Sequence, residues 1–398
     1  MTLLAGCGAQ EAMAPLDASA KLPPDPQRIA QGARLAALGN CMGCHTAPGG
    51  KPYAGGRGLE TPFGTIYGTN ITPDAETGIG GWSQAAFARA MREGLDNNGR
   101  HLYPAFPYDY FTRLTDDDLA SLYAFLMARE PVKQENRASR VPIPRVAVAL
   151  WNKLYLKKGP IEADPGKSGE WNRGAYLVRG LAHCGACHTP RDRLGGEIKQ
   201  ADFAGGEAEG WHAPALNADS PSPVPWTRDA LHAYLRTGIA ESHALTAGPM
   251  TGVVRDLKQV LDEDVRAIAT YIASLDRRTP GERRKAADEA FANTKRDAAD
   301  NARGRVVYEG ACAQCHDRGR DAEGGALQLA LASGLTIPTS RNLAHIILEG
   351  IEPREGERGP WMPAFAGSLG EQDLADLLAY LRSLTGRAPW KDTHEAQR

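Results

Sequence analysis

One short pattern occurs three times in this chain and limits what it can fold around: Cys41-Met42-Gly43-Cys44-His45, Cys184-Gly185-Ala186-Cys187-His188 and Cys312-Ala313-Gln314-Cys315-His316. Two cysteines at this spacing can each form a thioether with a haem vinyl group, and the histidine that follows then lies under the iron as an axial ligand. Cys-x-x-Cys by itself is also half a zinc site or a thioredoxin-like redox pair. A zinc module needs a second ligand pair at regular spacing, and a redox pair needs a βαβ pattern around it. Neither surrounds these motifs, and Cys7 is the one cysteine outside them. The pattern therefore points to three covalently bound haems c on Cys41, Cys44, Cys184, Cys187, Cys312 and Cys315, with His45, His188 and His316 as iron ligands.

In 398 residues, three such sites imply three domains of about 110 residues each. Domains that small bury little polypeptide, so the haem has to supply part of each core. The expected fold is all-α, with three tandem cytochrome c domains at 27–130, 169–277 and 303–387. A Pro-rich and apolar linker (131–168) and a charged helical linker (278–302) join them, with a flexible start at 1–26 and a short tail at 388–398. The net charge of −2 provides no basic field for nucleic acid. No apolar run approaches the roughly 18 residues a spanning helix needs, so membrane attachment would be peripheral or lipidic.

Haem is attached to such motifs outside the bacterial cytoplasm, so an exported chain is expected. Leu4-Ala5-Gly6-Cys7 resembles a bacterial lipobox. The expectation is that the true start lies upstream, that Cys7 is the mature lipidated residue, and that Gly8 to Pro26 tethers the protein to the periplasmic side of the cytoplasmic membrane. The apolar stretch at 146–158, with Trp151, Tyr155 and flanking lysines, either rests on a membrane or a partner, or packs on its own second domain.

An internal alignment locates a second axial ligand. After each motif comes a Gly/Pro-rich wrap, then a helical signature closing on Gly94, Gly238 or Gly350, as helix ends do, and finally an amphipathic helix with acidic residues in its first turn. Twelve residues beyond Gly238 stands Met250, and twelve beyond Gly350 stands Met362, both beside proline in loop-like sequence. Methionine more often fills cores, but the repeated offset beside a haem marks these two as ligands. The same count from Gly94 lands on Phe106, which cannot bind iron. Met91 and Met127 align with helix packing positions, and His101, on the same loop, is the replacement to consider for an otherwise open first haem.

Longer strings carry a resemblance: Gly64-Thr65-Ile66-Tyr67-Gly68-Thr69-Asn70-Ile71-Thr72-Pro73-Asp74, Glu76-Thr77-Gly78-Ile79-Gly80, Trp171-Asn172-Arg173-Gly174-Ala175-Tyr176-Leu177 and His183-Cys184-Gly185-Ala186-Cys187-His188-Thr189-Pro190-Arg191. Over roughly residues 27 to 387 the chain resembles the tri-haem cytochrome c subunit of bacterial membrane-bound alcohol, aldehyde, gluconate, sorbitol and fructose dehydrogenases. The resemblance implies that electrons arrive from a catalytic subunit carrying PQQ, FAD or molybdopterin and leave to ubiquinone or another respiratory acceptor. Where the family usually reads Tyr-Pro-Ala-Met, this chain has Tyr103-Pro104-Ala105-Phe106.

No Ser/His/Asp arrangement or phosphate-cradling glycine loop accompanies the motifs, so the expected function is electron relay, with substrate oxidation left to a partner. Two other readings remain open at this point. One is a haem enzyme, peroxidase-like or gas-binding, that uses an open first haem. The other is a cytochrome feeding a terminal oxidase.

Overall fold

The computed structural model describes residues 25–293, 301–317, 327–352 and 361–393. The first helix, α1 (Pro26–Leu38), starts where its sequence dictates: the Asp25 carboxylate accepts from the N–H groups of Gln27 and Arg28, and Pro26 fills the first position, where no N–H is needed. It leads into α2 (Cys41–His45), the first motif. There follow an antiparallel pair, β1 (Gly58–Thr61) and β2 (Gly64–Tyr67), then α3 (Gln84–Glu93), the single turn α4 (Tyr108–Phe111), α5 (Asp116–Met127) and α6 (Arg145–Tyr155). Next, α7 (Gly169–Arg179) leads into the second motif on α8 (Gly185–His188). Then come β3 (Gly206–Ala208), β4 (Trp211–Ala213), α9 (Arg228–Thr237), β5 (Ile239–Ala240), β6 (Ala244–Leu245), α10 (Pro249–Leu257), α11 (Asp262–Ala273) and α12 (Pro280–Asn293). The third motif, α14 (Ala313–His316), follows α13 (Ala302–Ala311), and α15 (Arg341–Glu349) and α16 (Glu371–Ser383) complete the described chain.

The helix-rich expectation holds, with one addition: among the described residues there are three short antiparallel pairs that an all-α reading does not contain. Two of them, β1–β2 and β3–β4, lie in the wraps after the first two motifs, where glycines turn the chain back on itself. The helices that close on Gly94, Gly238 and Gly350 end as their sequences require, with each glycine at positive φ (65°, 85° and 74°).

The described residues divide into two compact units. One holds everything up to Ala186 together with Arg191–Glu197 and Gln259–Asp264, and the other holds Cys187–Pro190, Ile198–Lys258 and the residues from Val265 onward. In the first unit, α1 packs along α5. The two backbones approach so closely at Gly32 that a Cβ there would lie 2.0 Å from the Ser121 carbonyl oxygen. In the second unit, α13 packs along α16, and a Cβ on Gly304 would lie 2.1 Å from the Asp376 carbonyl oxygen. The same device thus fixes the helix that precedes the first motif and the helix that precedes the third.

Three segments read as connectors are more tightly held than composition indicates. Residues of the Pro-rich stretch lie along the first wrap: Arg140 N–H donates to the Thr65 carbonyl at 2.8 Å, and Asn136 Nδ2 donates to the Thr77 carbonyl at 2.8 Å. In the charged spacer the described residues Pro280–Asn293 form helix α12, which is not simply solvated, since Ala290 is buried against Val224 and Leu331. After α16, Trp390 is buried, and its indole N–H donates to the Ile337 carbonyl at 2.8 Å.

The apolar stretch at 146–158 is the amphipathic helix α6, and it packs on the first-unit helix α4. Val148 is buried, Trp151 meets Tyr108 edge-on at 6.2 Å, and Asn152 Oδ1 accepts from the Tyr108 hydroxyl at 2.6 Å. Its other face leaves Val146, Leu150 and Leu154 exposed by 67%, 62% and 54%. These residues recur every fourth position and form one apolar stripe on a helix.

The helix crossings make a test. Gly304→Val is expected to force α13 off α16 and cost about 3 kcal/mol. Gly310→Ala, where an added Cβ meets nothing within 4 Å, should be neutral or stabilising by roughly 0.5–1 kcal/mol. Thermal unfolding of the two haem-loaded variants beside the parent checks both outcomes.

Candidate functional site

The first two motif histidines are held in the same way. His45 Nδ1 lies 2.6 Å from the Thr69 carbonyl oxygen, and His188 Nδ1 lies 2.7 Å from the Pro214 carbonyl oxygen. Each histidine's own carbonyl accepts an N–H from a wrap glycine, Gly55 at 2.7 Å and Gly205 at 2.8 Å. Both glycines sit at positive φ (79° and 93°), which lets the wrap turn under the motif. The approach is close enough to exclude any side chain. A Cβ on Gly68 would lie 2.0 Å from the Cys44 carbonyl oxygen, and one on Gly206 would lie 2.4 Å from that of Cys187.

An imidazole whose Nδ1–H donates to a carbonyl keeps its Nε2 lone pair for a metal, and the hydrogen bond fixes the ring's tautomer and direction. Burial holds His45 and His188 below the ordinary histidine pKa, although the bonds to Thr69 and Pro214 pull the other way. Both rings are therefore neutral, which is the form that binds iron. On this ground the first two motifs fit a covalently attached haem.

The third motif adds a sulfur chemistry of its own. Burial first, then the neighbouring Cys315 and Asp317, push the Cys312 thiol up to about 11. A neutral sulfur suits that place, and a thioether is one. Cys312 and Ala313 pack against the apolar cluster that includes Leu335, Ile347 and Leu377, and Met362 packs on the same cluster. The structure thus brings Met362 to the core that supports the third motif, in a bridge whose N–H groups and carbonyls are exchanged with Ile351 at 2.8 and 2.9 Å.

Met250 departs from its sequence reading. It lies in the first turn of helix α10 rather than in a loop, because Gly248 at φ 54° and Pro249 start a helix just before it. A Cβ on Gly248 would lie 2.4 Å from the Trp211 ring, which fixes where that helix begins. Phe106, at the place that would match a ligand in the first site, packs edge-on against Phe111 at 5.4 Å. His101 is tied into a bridge with Leu95, and its Nδ1 is 3.5 Å from Asn152 Nδ2 on α6. Met91 is buried on α3, as a packing residue should be. Cys7 lies outside the described residues.

One residue that sequence reasoning left without a role organises the first wrap. Buried Asn70 donates through Nδ2 to Thr77 Oγ1 at 3.0 Å and to the Val132 carbonyl at 2.7 Å, and its Oδ1 accepts from the N–H and hydroxyl of Thr72 at 3.0 and 2.7 Å. It follows Thr69, the residue whose carbonyl orients His45. Its presence in Gly68-Thr69-Asn70-Ile71-Thr72 was the available signal, but its partners around residue 132 could not be read from spacing.

Cys-x-x-Cys turns whose histidines are aimed by carbonyls of a glycine-rich wrap define a c-type cytochrome, an electron carrier with covalent haem. Residues 29–130 match the family model described as "Cytochrome c", and residues 299–381 match "Cytochrome C oxidase, cbb3-type, subunit III". The chain is 45% identical over 89% of its length to a nicotinate dehydrogenase subunit of Pseudomonas putida, of which it spans 30%. It is 35% identical over 90% of its length to the gluconate 2-dehydrogenase cytochrome c subunit of Pantoea cypripedii, of which it spans 86%. It is 34% identical over 97% of its length to the fructose dehydrogenase cytochrome subunit of Gluconobacter japonicus, of which it spans 84%. The chain belongs to the family of cytochrome c subunits of bacterial dehydrogenases, and its function is electron transfer.

Asn70→Ala is expected to strip five side-chain hydrogen bonds from the wrap at once. A loss of about 2–3 kcal/mol follows from the buried groups left unsatisfied, and it should appear as a lowered denaturation midpoint of the haem-loaded protein.

Proposed function

We propose that this chain relays electrons through three haems c, one on each motif, from a dehydrogenase catalytic subunit to a respiratory acceptor such as ubiquinone, at the periplasmic face of the cytoplasmic membrane. The observation that carries the reading is the repeated hold on the motif histidine, Nδ1 to a wrap carbonyl in both His45 and His188. The threefold order of lead-in helix, motif, glycine-closed helix and acidic-capped helix supports three tandem cytochrome c domains.

When bound, haem c supplies a one-electron iron couple. The chain's own residues set how that couple is held. Cys41 with Cys44, Cys184 with Cys187, and Cys312 with Cys315 would carry the thioethers, and His45, His188 and His316 would hold the iron from one side. Met250 and Met362 would be further ligands to it in the second and third sites, where a methionine ligand would raise the potential. In the first site, Phe106 among Phe111 and Tyr108 forms an apolar lid. Such a lid excludes water but offers no acid or base for peroxide cleavage, which favours relay over a peroxidase-like enzyme.

The relatives' names place their own subunits with nicotinate, gluconate, fructose and alcohol dehydrogenases. A catalytic partner of that general kind, carrying PQQ, FAD or molybdopterin, is proposed for this chain. No helix among the described residues is long and apolar enough to cross a membrane. Peripheral attachment is proposed, through a lipidated Cys7 and the exposed stripe of Val146, Leu150 and Leu154 on α6, with Lys153 and Lys157 near anionic headgroups.

Two experiments test these readings. A pyridine haemochrome assay of the exported protein should find three covalent haems per chain, and carbon monoxide should bind the reduced protein at the first haem alone. Fewer than three haems, or no reaction with carbon monoxide, would overturn the corresponding part. The double variant Leu150→Glu, Leu154→Glu, made in a chain lacking Cys7, should float with anionic vesicles at least tenfold less than its parent yet still co-purify with a large catalytic subunit. Equal flotation rules out the stripe, and failure of the parent to co-purify with such a subunit rules out the partner.

A further inference from the structure

The chain after α16 builds a cavity that electron relay does not call for. Gly386, at φ 69°, turns the backbone. The residues that follow fold back on the helix they leave, so that the Arg382 guanidinium carbon lies 4.4 Å from the centre of the Trp390 ring. Asp392 fastens the returning segment. One of its carboxylate oxygens accepts from the N–H and hydroxyl of Ser340 at 3.1 and 3.0 Å, and the other accepts from the Thr339 hydroxyl. Between these elements is a cavity of about 530 Å³ that opens to solvent, with Pro338, Arg382, Arg387, Trp390, Lys391 and Asp392 in its wall.

The charge in this wall does not balance. Three of the residues are cations, and the one carboxylate is engaged with Thr339 and Ser340. Arg382 is 8% exposed. Its Nε donates to the Ala388 carbonyl at 3.3 Å and its NH1 to the carbonyls of Leu335 and Ile337, while NH2 has no hydrogen-bond partner among the described residues. Carbonyl oxygens satisfy N–H groups but do not cancel a full charge. Arg387 makes one long contact, NH1 to the Thr336 carbonyl at 3.5 Å, and Lys391 has no ion pair among the described residues. The two arginines also repel each other: burial first, then the charge of Arg387, pull Arg382 down to about 10, with Asp392 opposing. An anion in the cavity would relieve that excess of positive charge.

We propose that this cavity is a binding site for a phosphate group, carried by a phospholipid headgroup or free in solution, with Arg382 as its buried cation and Arg387 and Lys391 as its exposed ones. The number of cations selects the ligand. A carboxylate has two oxygens and one charge, which a single guanidinium fork takes up. A phosphate offers more acceptor oxygens and can carry a second charge, so it can meet two guanidinium groups and an ammonium together. The volume lies within the range of roughly 300–1,000 Å³ usual for small-molecule sites, which leaves room for the atoms that bear the phosphate. Trp390 and Pro338 give those atoms an apolar wall.

The site is also joined to the core of the third motif. Trp390 and Leu335 belong to the apolar cluster on which Cys312 and Met362 pack, and the Arg382 guanidinium touches both, one through its ring face and the other through its carbonyl. A bound anion would therefore hold the returning segment against that cluster.

Equilibrium dialysis of the haem-loaded protein against labelled inorganic phosphate, at fixed ionic strength, should give a dissociation constant below about 1 mM. Arg387→Gln with Lys391→Gln should weaken binding by about tenfold or more. Arg382 is left in place, because its N–H groups hold the Leu335 and Ile337 carbonyls. Arg284→Gln with Lys285→Gln removes the same charge from α12 and should leave binding unchanged. Flotation with phosphatidylcholine vesicles containing about one-fifth phosphatidylglycerol separates the two sources. It uses a chain that lacks Cys7 and carries Leu150→Glu and Leu154→Glu, so that the other proposed attachments are absent. A loss of flotation by about tenfold in Arg387→Gln, Lys391→Gln makes a lipid headgroup the source. Phosphate binding that needs these two residues, without such a loss, makes it free phosphate. The proposal is overturned if neither probe depends on Arg387 and Lys391, or if the α12 variant loses as much.

Discussion

The first two sites depend on a single kind of contact, an imidazole nitrogen held 2.6 to 2.7 Å from a backbone carbonyl. Without that contact a histidine after Cys-x-x-Cys can turn freely and can carry its proton on either ring nitrogen. With it, one nitrogen is committed and the other is aimed. Much of the surrounding structure serves to put the carbonyl in place. Glycines with positive φ turn the wrap beneath the motif, Asn70 ties the first wrap to a strap of chain from the 130s, and Gly68 and Gly206 let the wrap touch the motif backbone.

Backbone proximity is also what orders the helices. Helices usually keep their axes apart by the width of their side chains, and a glycine at the crossing removes that spacer. At Gly32 and Gly304 the partner helix approaches to a distance at which no Cβ fits, so the helix leading into the motif has one allowed placement. The first cysteine of the motif follows nine residues after Gly32 and eight after Gly304. A rigid haem site is thereby built on a short helix that would be marginal alone.

Much of this molecule was legible in its order of residues. The three Cys-x-x-Cys-His runs declare the cofactor because thioether attachment requires that local spacing. The closing glycines Gly94, Gly238 and Gly350 mark helix ends because only glycine takes up positive φ without strain. These features act over a few residues, so they survive reading in one dimension. The register of Met250 was misjudged as loop because Pro after Gly can end one element or begin another, and local signals do not choose between them. The strap along the first wrap and the exposed stripe of α6 were decided only by the tertiary structure. Their partners lie dozens of residues apart, and what makes them matter is burial and distance, which no spacing along the chain records.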